Sequence, residues 1–180
     1  MSDWITASTP YLAPRAAGER DPWEQEASEA GHVGRHRLTL VGRFSAPGLV
    51  AERLGIDQDA PAILRRRLVT LDDRPVEIAD SWYPLAVAEG TGLAEQKPIR
   101  GGALRLLADL GYMAARHVED VAIVDPPADA TAELGTSPVL ELIRTSYTAN
   151  DVPFEVAVML MSRDMAPGVP RRLRYELRSV

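Results

Sequence analysis

The chain has 180 residues, a formal net charge of −6 and no cysteine. This length predicts one domain of ordinary size, and the lack of cysteine excludes disulfides, thiolate metal sites and a cysteine nucleophile. The acidic balance argues against a broad nucleic-acid surface, which would need a basic patch. No apolar run could span a membrane and no signal peptide is evident, so we expect a soluble cytoplasmic protein.

Residues 1–20 contain Pro10, Pro14 and Gly18 without a sustained period, so we expect an irregular N-terminal arm before a single domain at 21–180. Asp21 and Pro22 predict a helix start, since aspartate caps helices and proline suits the first helical position. The helix should end at Gly31. We then expect a basic loop, a strand at 38–44, and a second helix from Pro47 to Gly55; the loop holds His32, Arg35, His36 and Arg37.

Residues 61–84 predict a β-hairpin around the polar turn at 72–74, because apolar and polar residues alternate on both sides of it. The alternation puts Arg65 and Arg67 on one face of the first strand, and Arg66 on the other, where a solvated or interface role is expected. On the second strand, Glu77 shares a face with Ser81 and Tyr83. Three consecutive arginines in a strand need partners or ligands, so this hairpin is the first place to look for a site.

A second hairpin is predicted at 137–163, with Arg144 in its first strand, a turn at 149–151, and Glu155 opening its second strand. A short helix ending in Leu-Gly precedes each hairpin, at Gly55 and at Gly135. Two copies at this spacing are too few for a solenoid. The pattern therefore predicts one domain built from two related helix–hairpin halves.

The remaining segments complete an α+β fold. Short helices are expected at 85–98, and an amphipathic helix should bury Ala103, Leu106, Leu107 and Leu110. Strands are expected at 113–124 and in the closing RRLRYELRSV, where Leu173, Tyr175 and Leu177 alternate with charges; Arg171, Arg172, Arg174 and Arg178 should flank a surface strand. About six or seven strands without βαβ alternation indicate a central antiparallel sheet flanked by helices.

The ordered set of these segments resembles the UTRA domain, the effector-binding part of GntR-type bacterial regulators of the HutC subfamily. The resemblance rests on five features: the helices ending in LG, the segment RPVEIADSWYP, the helix after GG, the segment VPFEV and the closing LRYEL. The resemblance implies a chorismate-lyase-like fold, a homodimer, and a small metabolite whose binding changes how a winged helix-turn-helix engages DNA. Residues 1–20 show no helix-turn-helix pattern, so DNA contact is not expected from this chain. No enzyme activity and no cofactor are implied.

The candidate ligand site centres on Arg65 and Arg67, whose guanidinium forks can both reach one anionic group. The resemblance implies that these arginines contact an acidic part of the effector, that Glu77 binds its hydroxyl or amine groups, and that Ser81 and Tyr83 continue that face. Further ligand-binding candidates are Trp23, Arg144, Glu155 and Tyr175. Two alternatives stay open: Trp23 is a core residue, or Arg65, Arg67, Glu77 and Glu155 form a structural ion network across the sheet.

The predicted ligand is a small, acidic metabolite. Asp21 and Glu24 put negative charge at the first helix N-terminus, which opposes a second anion there. Of the three histidines, His32 and His36 are four positions apart but have no third nearby ligand, so no metal site is predicted. Two other functions are considered: a chorismate-lyase-like enzyme using Arg65, Arg67 and Glu155, and a stand-alone partner that regulates a full-length paralogue.

Overall fold

The structure is a computed structural model that describes residues 4–15 and 19–176. Strands in these ranges are β1 (Trp4–Ala7), β2 (Gly34–Ser45), β3 (Pro61–Leu71), β4 (Arg74–Pro84), β5 (Arg116–Val124), β6 (Val139–Tyr147), β7 (Pro153–Met161), β8 (Asp164–Ala166) and β9 (Val169–Arg174). The helices are α1 (Pro22–Glu29), α2 (Gly48–Leu54), α3 (Leu85–Ala88), α4 (Ala103–Asp109) and α5 (Ala128–Leu134), with single 3₁₀ turns at Thr9–Tyr11 and Gly92–Ala94.

Six strands form an antiparallel sheet in the order β2-β3-β4-β7-β6-β5, so both predicted hairpins lie at its centre. A three-stranded sheet in the order β1-β9-β8 lies beside it. In that sheet β1 runs parallel to β9, which joins the two ends of the described chain. The predicted α+β class with a central antiparallel sheet is confirmed.

The helices divide between the two faces of the large sheet. On one face, α2 packs on a cluster with Leu64 and Trp82, and α5 packs beside Leu68 and Ile78. On the other face, α3 and α4 cover one end around Tyr83. The arm and α1 cover the opposite end of that face, where Trp4 and Trp23 are buried together. Between these two covers the second face stays partly open.

Local turn and cap chemistry explains why the predicted hairpins and helix ends are confirmed. Asp72 and Asp73 both have positive φ, +49° and +63°, as the preferred two-residue hairpin turn requires. Helices α2 and α5 both end at a left-handed glycine, Gly55 and Gly135, each with φ +65°. The two helix–hairpin halves therefore end their helices with the same device.

Two predictions at the N-terminal side were wrong in their local structure. The arm was expected to be irregular, but Trp4–Ala7 forms β1, because pairing with the distant β9 supplies hydrogen bonds that no local period reveals. The loop expected at Arg35–Arg37 is strand, since β2 begins at Gly34 and pairs with β3 down to Leu71.

Three further differences concern the helix and strands of the second half. Leu110 is 41% exposed and not part of the core, because α4 ends at Asp109. The short strand β8 was not predicted. The closing strand ends at Arg174, with Tyr175 beyond it, and Leu177 lies outside the described residues. No helix in the described ranges is long and apolar enough to cross a membrane.

Candidate functional site

A cavity of about 320 Å³ lies on the partly open face of the large sheet. Its floor is formed by β3, β4, β7 and β6, and its cover by the arm at 6–13, the start of α1, and residues 98–104, which are a loop and the start of α4. Leu173 and Arg171 of β9 close one side. Eight of the nine predicted ligand-binding residues line it: Trp23, Arg65, Arg67, Glu77, Ser81, Tyr83, Arg144 and Glu155.

Small side chains in the middle of the floor create the space. Ser81 of β4 lies between Arg65 of β3 and Ala157 of β7, and Ala157 lies opposite Arg144 of β6. In the next row, Ala79 lies opposite Arg67. Long arginine side chains therefore stand around a floor of alanine and serine, which is why a concavity forms at the sheet centre.

Arg65 is a buried residue whose hydrogen bonds go to the protein backbone. Its Nη1 donates to the carbonyl oxygens of Leu93 at 2.8 Å, Glu95 at 2.9 Å and Gly92 at 3.2 Å, and its Nη2 donates to that of Lys97 at 2.9 Å. Burial lowers the pKa of Arg65 below the usual arginine value, and the nearby charge of Arg67 lowers it further. Arg65 therefore anchors the 92–97 loop.

Arg67 lies two residues further along the same strand and has a different environment. Its side chain is exposed toward the cavity, and it makes no hydrogen bond or ion pair with any residue that the structure describes. The other four lining arginines are engaged: Arg15 with Asp21, Arg65 with the 92–97 loop, Arg144 with Glu119, and Arg171 with Glu77. Arg67 is thus the guanidinium that remains available to a bound anion.

Glu155 and Tyr83 form a buried pair at the other end of the floor. The Tyr83 hydroxyl donates to Glu155 Oε1 at 2.8 Å. Burial, together with the adjacent Glu155 carboxylate, raises the pKa of Tyr83 well above its usual value, so the phenol stays protonated and keeps donating. Glu155 is 8% exposed and has no ion-pair partner within the described residues.

Glu77 and Arg171 join the small sheet to the large one. Arg171 Nη1 donates to Glu77 Oε2 at 3.1 Å, and its Nη2 donates to the Val76 carbonyl oxygen at 3.0 Å. The Arg171 side chain is 2% exposed, so the expectation that it flanks a surface strand was wrong. Its Nε is buried without a hydrogen-bond partner in the structure. Arg171 is buried because the β1-β9-β8 sheet places β9 against the cavity.

Arg144 is fixed by an edge-strand acid. Its Nε donates to Glu119 Oε1 at 2.6 Å, and both side chains are 12% exposed. His117 Nδ1 lies 3.1 Å from the Ser146 hydroxyl. Burial lowers the pKa of His117, and the charge of Arg144 lowers it further. His117 is therefore neutral at pH 7.

Tyr175 is the predicted residue that the structure does not bring to the cavity lining. It is 47% exposed and follows the last residue of β9. Burial of part of its ring raises the pKa of Tyr175, and the Glu119 carboxylate adds to this effect. Tyr175 thus neighbours the Arg144–Glu119 pair from outside the cavity.

Helix α1 presents its first turn to the cavity. Asp21 caps it by accepting a hydrogen bond from the Trp23 backbone N–H at 3.0 Å, and it pairs with Arg15 at 3.1 Å and His36 at 3.6 Å. Burial alone would raise the pKa of Asp21, but His36, Arg15 and the Trp23 N–H together lower it. Trp23 is 7% exposed, with its Nε1 donating to the Thr70 carbonyl oxygen at 3.0 Å, so it is both core residue and cavity wall.

Sequence reasoning missed Arg15, His36 and Arg171 as lining residues. Each reaches the cavity through long-range pairing of the arm, β2 or β9, so no local pattern could have identified it. In total, five arginines and three carboxylates line the cavity, and Glu119 pairs with Arg144 just behind the lining, which leaves a formal excess of one positive charge if the histidines are neutral. In a chain with a net charge of −6, this excess favours an anionic ligand.

No group of three or more potential metal ligands occurs in the described part of the chain. The charged groups of the cavity are guanidinium groups, which bind anions, and carboxylates, which accept hydrogen bonds from cations. The chemistry that this arrangement supports is therefore recognition of a charged organic molecule by hydrogen bonds and ion pairs.

Comparisons with known proteins give a matching family, a curated relative and solved structures of the same fold. The profile of the UTRA domain matches residues 29–166. An uncharacterised helix-turn-helix-type transcriptional regulator of Streptomyces coelicolor is 30% identical over 141 residues, which cover 75% of this chain and 52% of the relative. The chain thus spans about half the length of the curated relative it matches.

Two solved structures show the same fold. The effector domain of PhnF from Mycobacterium smegmatis superposes with a TM-score of 0.68 at 22% identity, covering 92% of this chain and 98% of that chain. A GntR-family transcriptional regulator from Bacillus cereus superposes with a TM-score of 0.61 at 18% identity, covering 82% of this chain and 97% of that chain. At these identities the likeness concerns the fold.

Proposed function

Since the chain belongs to the UTRA domain family, we propose that it is the effector-sensing part of a GntR-type transcriptional regulator of the HutC subfamily, acting in the cytoplasm. The cavity binds a small acidic metabolite. Arg67 carries this proposal, because it is a cation in a positively charged cavity with no partner among the described residues. Its guanidinium fork can form two parallel hydrogen bonds with a carboxylate or phosphate, and these charge-assisted bonds are stronger than bonds between neutral groups.

Transcriptional control requires a DNA-binding segment outside this chain. The Streptomyces relative is of the helix-turn-helix type, and the chain matches only about half of it. We propose that ligand binding changes the position of the arm, which covers the cavity, and so the geometry of a DNA-binding domain joined to it. We do not propose that this chain itself contacts DNA, because its net charge is negative and DNA-binding surfaces are basic.

A homodimer is proposed through the outer edge of the large sheet. Among the described strands, β5 has no neighbour on its outer side, and its Val121 and Ile123 are 47% and 63% exposed. Unpaired edges with apolar side chains favour association with a second chain. Light scattering decides the matter: a particle of 19.6 kDa at micromolar concentration contradicts the dimer, and twice that mass supports it.

A thermal-shift screen of acidic metabolites tests the sensor proposal. A ligand present at about 100 times its Kd stabilises the native state by about 2.7 kcal/mol, which for a domain of this size raises Tm by roughly 5–10 °C. We expect Arg67→Ala to lose most of that shift. The matched control is Arg37→Ala, an exposed arginine on the neighbouring strand outside the cavity lining, which should keep it. A full shift in Arg67→Ala would contradict the proposal.

The chorismate-lyase-like alternative requires two arginines to hold carboxylates beside Glu155. In the structure Arg65 already donates to four backbone carbonyls, which leaves Arg67 as the available one of the pair. The geometry therefore favours the sensor. Formation of 4-hydroxybenzoate from chorismate by the wild type, and its loss in Glu155→Gln, would reverse this conclusion.

A further inference from the structure

Glu155 is a buried carboxylate in the cavity floor that has no cationic partner among the described residues. Its Oε1 accepts the Tyr83 hydrogen bond, and it forms no ion pair in the described part of the chain. Removing a carboxylate from water is costly unless a cation or several hydrogen bonds compensate for it. One hydrogen bond from a neutral phenol supplies only part of that compensation.

The cations around Glu155 are bound elsewhere. Arg144 pairs with Glu119, and Arg65 donates to the 92–97 loop. His117 is neutral at pH 7, because burial and Arg144 lower its pKa more than Glu155 and Glu119 raise it. By contrast, the other two lining carboxylates have cationic partners: Glu77 pairs with Arg171, and Asp21 with Arg15.

Among the described lining residues, Arg67 and Glu155 are the two charged side chains with neither an ion-pair partner nor a set of backbone hydrogen bonds like that of Arg65, and the sheet keeps them apart. Arg67 lies in register with Ala79 and, across β4, with Met159. Glu155 is two strands away from Arg67 and four residues along β7 from Met159. Ordinary strand spacings put their Cα atoms about 16 Å apart, and no ion pair joins them. The space between them belongs to the cavity.

We infer that the effector is zwitterionic: an acid whose anionic group binds Arg67 and whose ammonium group binds Glu155, with an amino acid or another amino-substituted small acid as the chemical class. This inference rests on the proposed function and makes it narrower. A plain acid would satisfy Arg67 and leave the buried Glu155 without a counterion. A hydroxylated acid would give Glu155 a hydrogen bond but no charge, which is the weaker form of compensation.

Matched triplets of short carboxylic acids test the inference. Each triplet has three to five carbons and carries hydrogen, hydroxyl or ammonium at the same position; propanoate, 3-hydroxypropanoate and 3-aminopropanoate are one example. Thermal shift and calorimetry on the whole chain compare the three members. In each triplet of which any member binds, we expect the amino acid to bind at least about tenfold more tightly than the hydroxyl and unsubstituted acids. Equal or tighter binding of the hydroxyl or unsubstituted member overturns the inference and leaves the sensor proposal intact.

Glu155→Gln removes the charge while keeping an oxygen that can accept from Tyr83. We expect this variant to lose the preference for the amino member, whereas Arg67→Ala should lose affinity for all three. Glu141→Gln is the matched control, since Glu141 lies in β6 outside the cavity lining, and it should keep the preference. An amino preference that survives in Glu155→Gln overturns the inference.

Ligand-free stability separates a ligand-binding from a structural role of Glu155. If its charge is uncompensated, Glu155→Gln should have an unchanged or higher Tm without ligand. A clearly lower Tm means that Glu155 is a structural ion-pair partner and overturns the inference. Binding by no member of any triplet, with wild type and variants folded, counts against the sensor function itself and removes the inference with it.

Discussion

Arg65 and Arg67 show how far a single residue's role is fixed by the sequence around it. The two-residue period places both on the cavity face of β3, as predicted. It does not reveal that Arg65 meets the carbonyls of a loop about 30 positions away, while Arg67 meets no partner among the described residues. Local alternation determines which face of the strand a side chain occupies, but tertiary structure determines which groups that side chain contacts. The ion network considered as an alternative is present only in part, since Glu77 pairs with Arg171 and not with either of these arginines.

At the residue scale, this difference predicts opposite effects on stability. Arg65→Ala leaves four backbone carbonyls without their donor, so we expect the free energy of unfolding to fall by about 3 kcal/mol. Arg67→Ala removes an exposed side chain that has no partner in the described ranges, so a change within about 0.5 kcal/mol is expected. Urea unfolding of both variants measures this. Equal destabilisation would show that both arginines are structural.

The elements of the fold were predictable where local chemistry defines them. Helix stops at Gly55 and Gly135, the turn at Asp72–Asp73 and the Asp21 cap all follow from one or two residues. The strand in the arm and the position of β9 were not predictable, because parallel pairing across the length of the chain leaves no local period. The cavity cover was therefore missed while its floor was found. The floor depends on hairpins, and the cover depends on long-range contacts.

At the element scale, the start of α1 predicts a pH-dependent stability. The pKa of Asp21 is lowered in the folded state, so its charge stabilises the fold above the unfolded-state pKa, near 3.9, and that contribution is lost as pH falls through the lower folded-state value. Asparagine caps helices as well as aspartate does, so Asp21→Asn removes the charge alone. We expect a loss of about 1 kcal/mol or less at pH 7.

Urea unfolding of wild type and Asp21→Asn between pH 7 and pH 3 measures the effect. The difference between them should shrink as the pH falls below about 4. Glu24→Gln, an exposed residue in the same first turn, is the control for a general effect of helix charge. A difference that stays constant down to pH 3 would mean that Arg15 and His36 do not hold the Asp21 charge.

At the scale of the whole molecule, both ends of the described chain cover the cavity. The arm is tied to α1 by one carboxylate: Glu26 accepts hydrogen bonds from Trp4 Nε1 at 2.6 Å, the Thr6 hydroxyl at 2.7 Å and the Tyr11 hydroxyl at 2.7 Å. Burial and Glu26 raise the pKa of Tyr11, so this donor keeps its proton. The arm also pairs with β9, whose Arg171 reaches Glu77 in the cavity floor. A ligand that contacts Glu77 is therefore connected to the N-terminal arm through Arg171 and the pairing of β9 with β1.

Glu26→Ala should therefore uncouple the arm from the rest of the fold without unfolding the sheet. We expect amide hydrogen exchange at 4–12 to become at least tenfold faster while β3, β4, β6 and β7 keep their protection, because three hydrogen bonds to one carboxylate are lost together. Ligand affinity should fall several-fold, since the cavity loses its ordered cover. The matched control is Glu29→Ala, one turn later on α1, whose one side-chain hydrogen bond to a described residue comes from exposed Gln25; it should change neither quantity. If Glu26→Ala leaves exchange in the arm unchanged, β1–β9 pairing alone holds the cover, and ligand binding must act on the arm through β9.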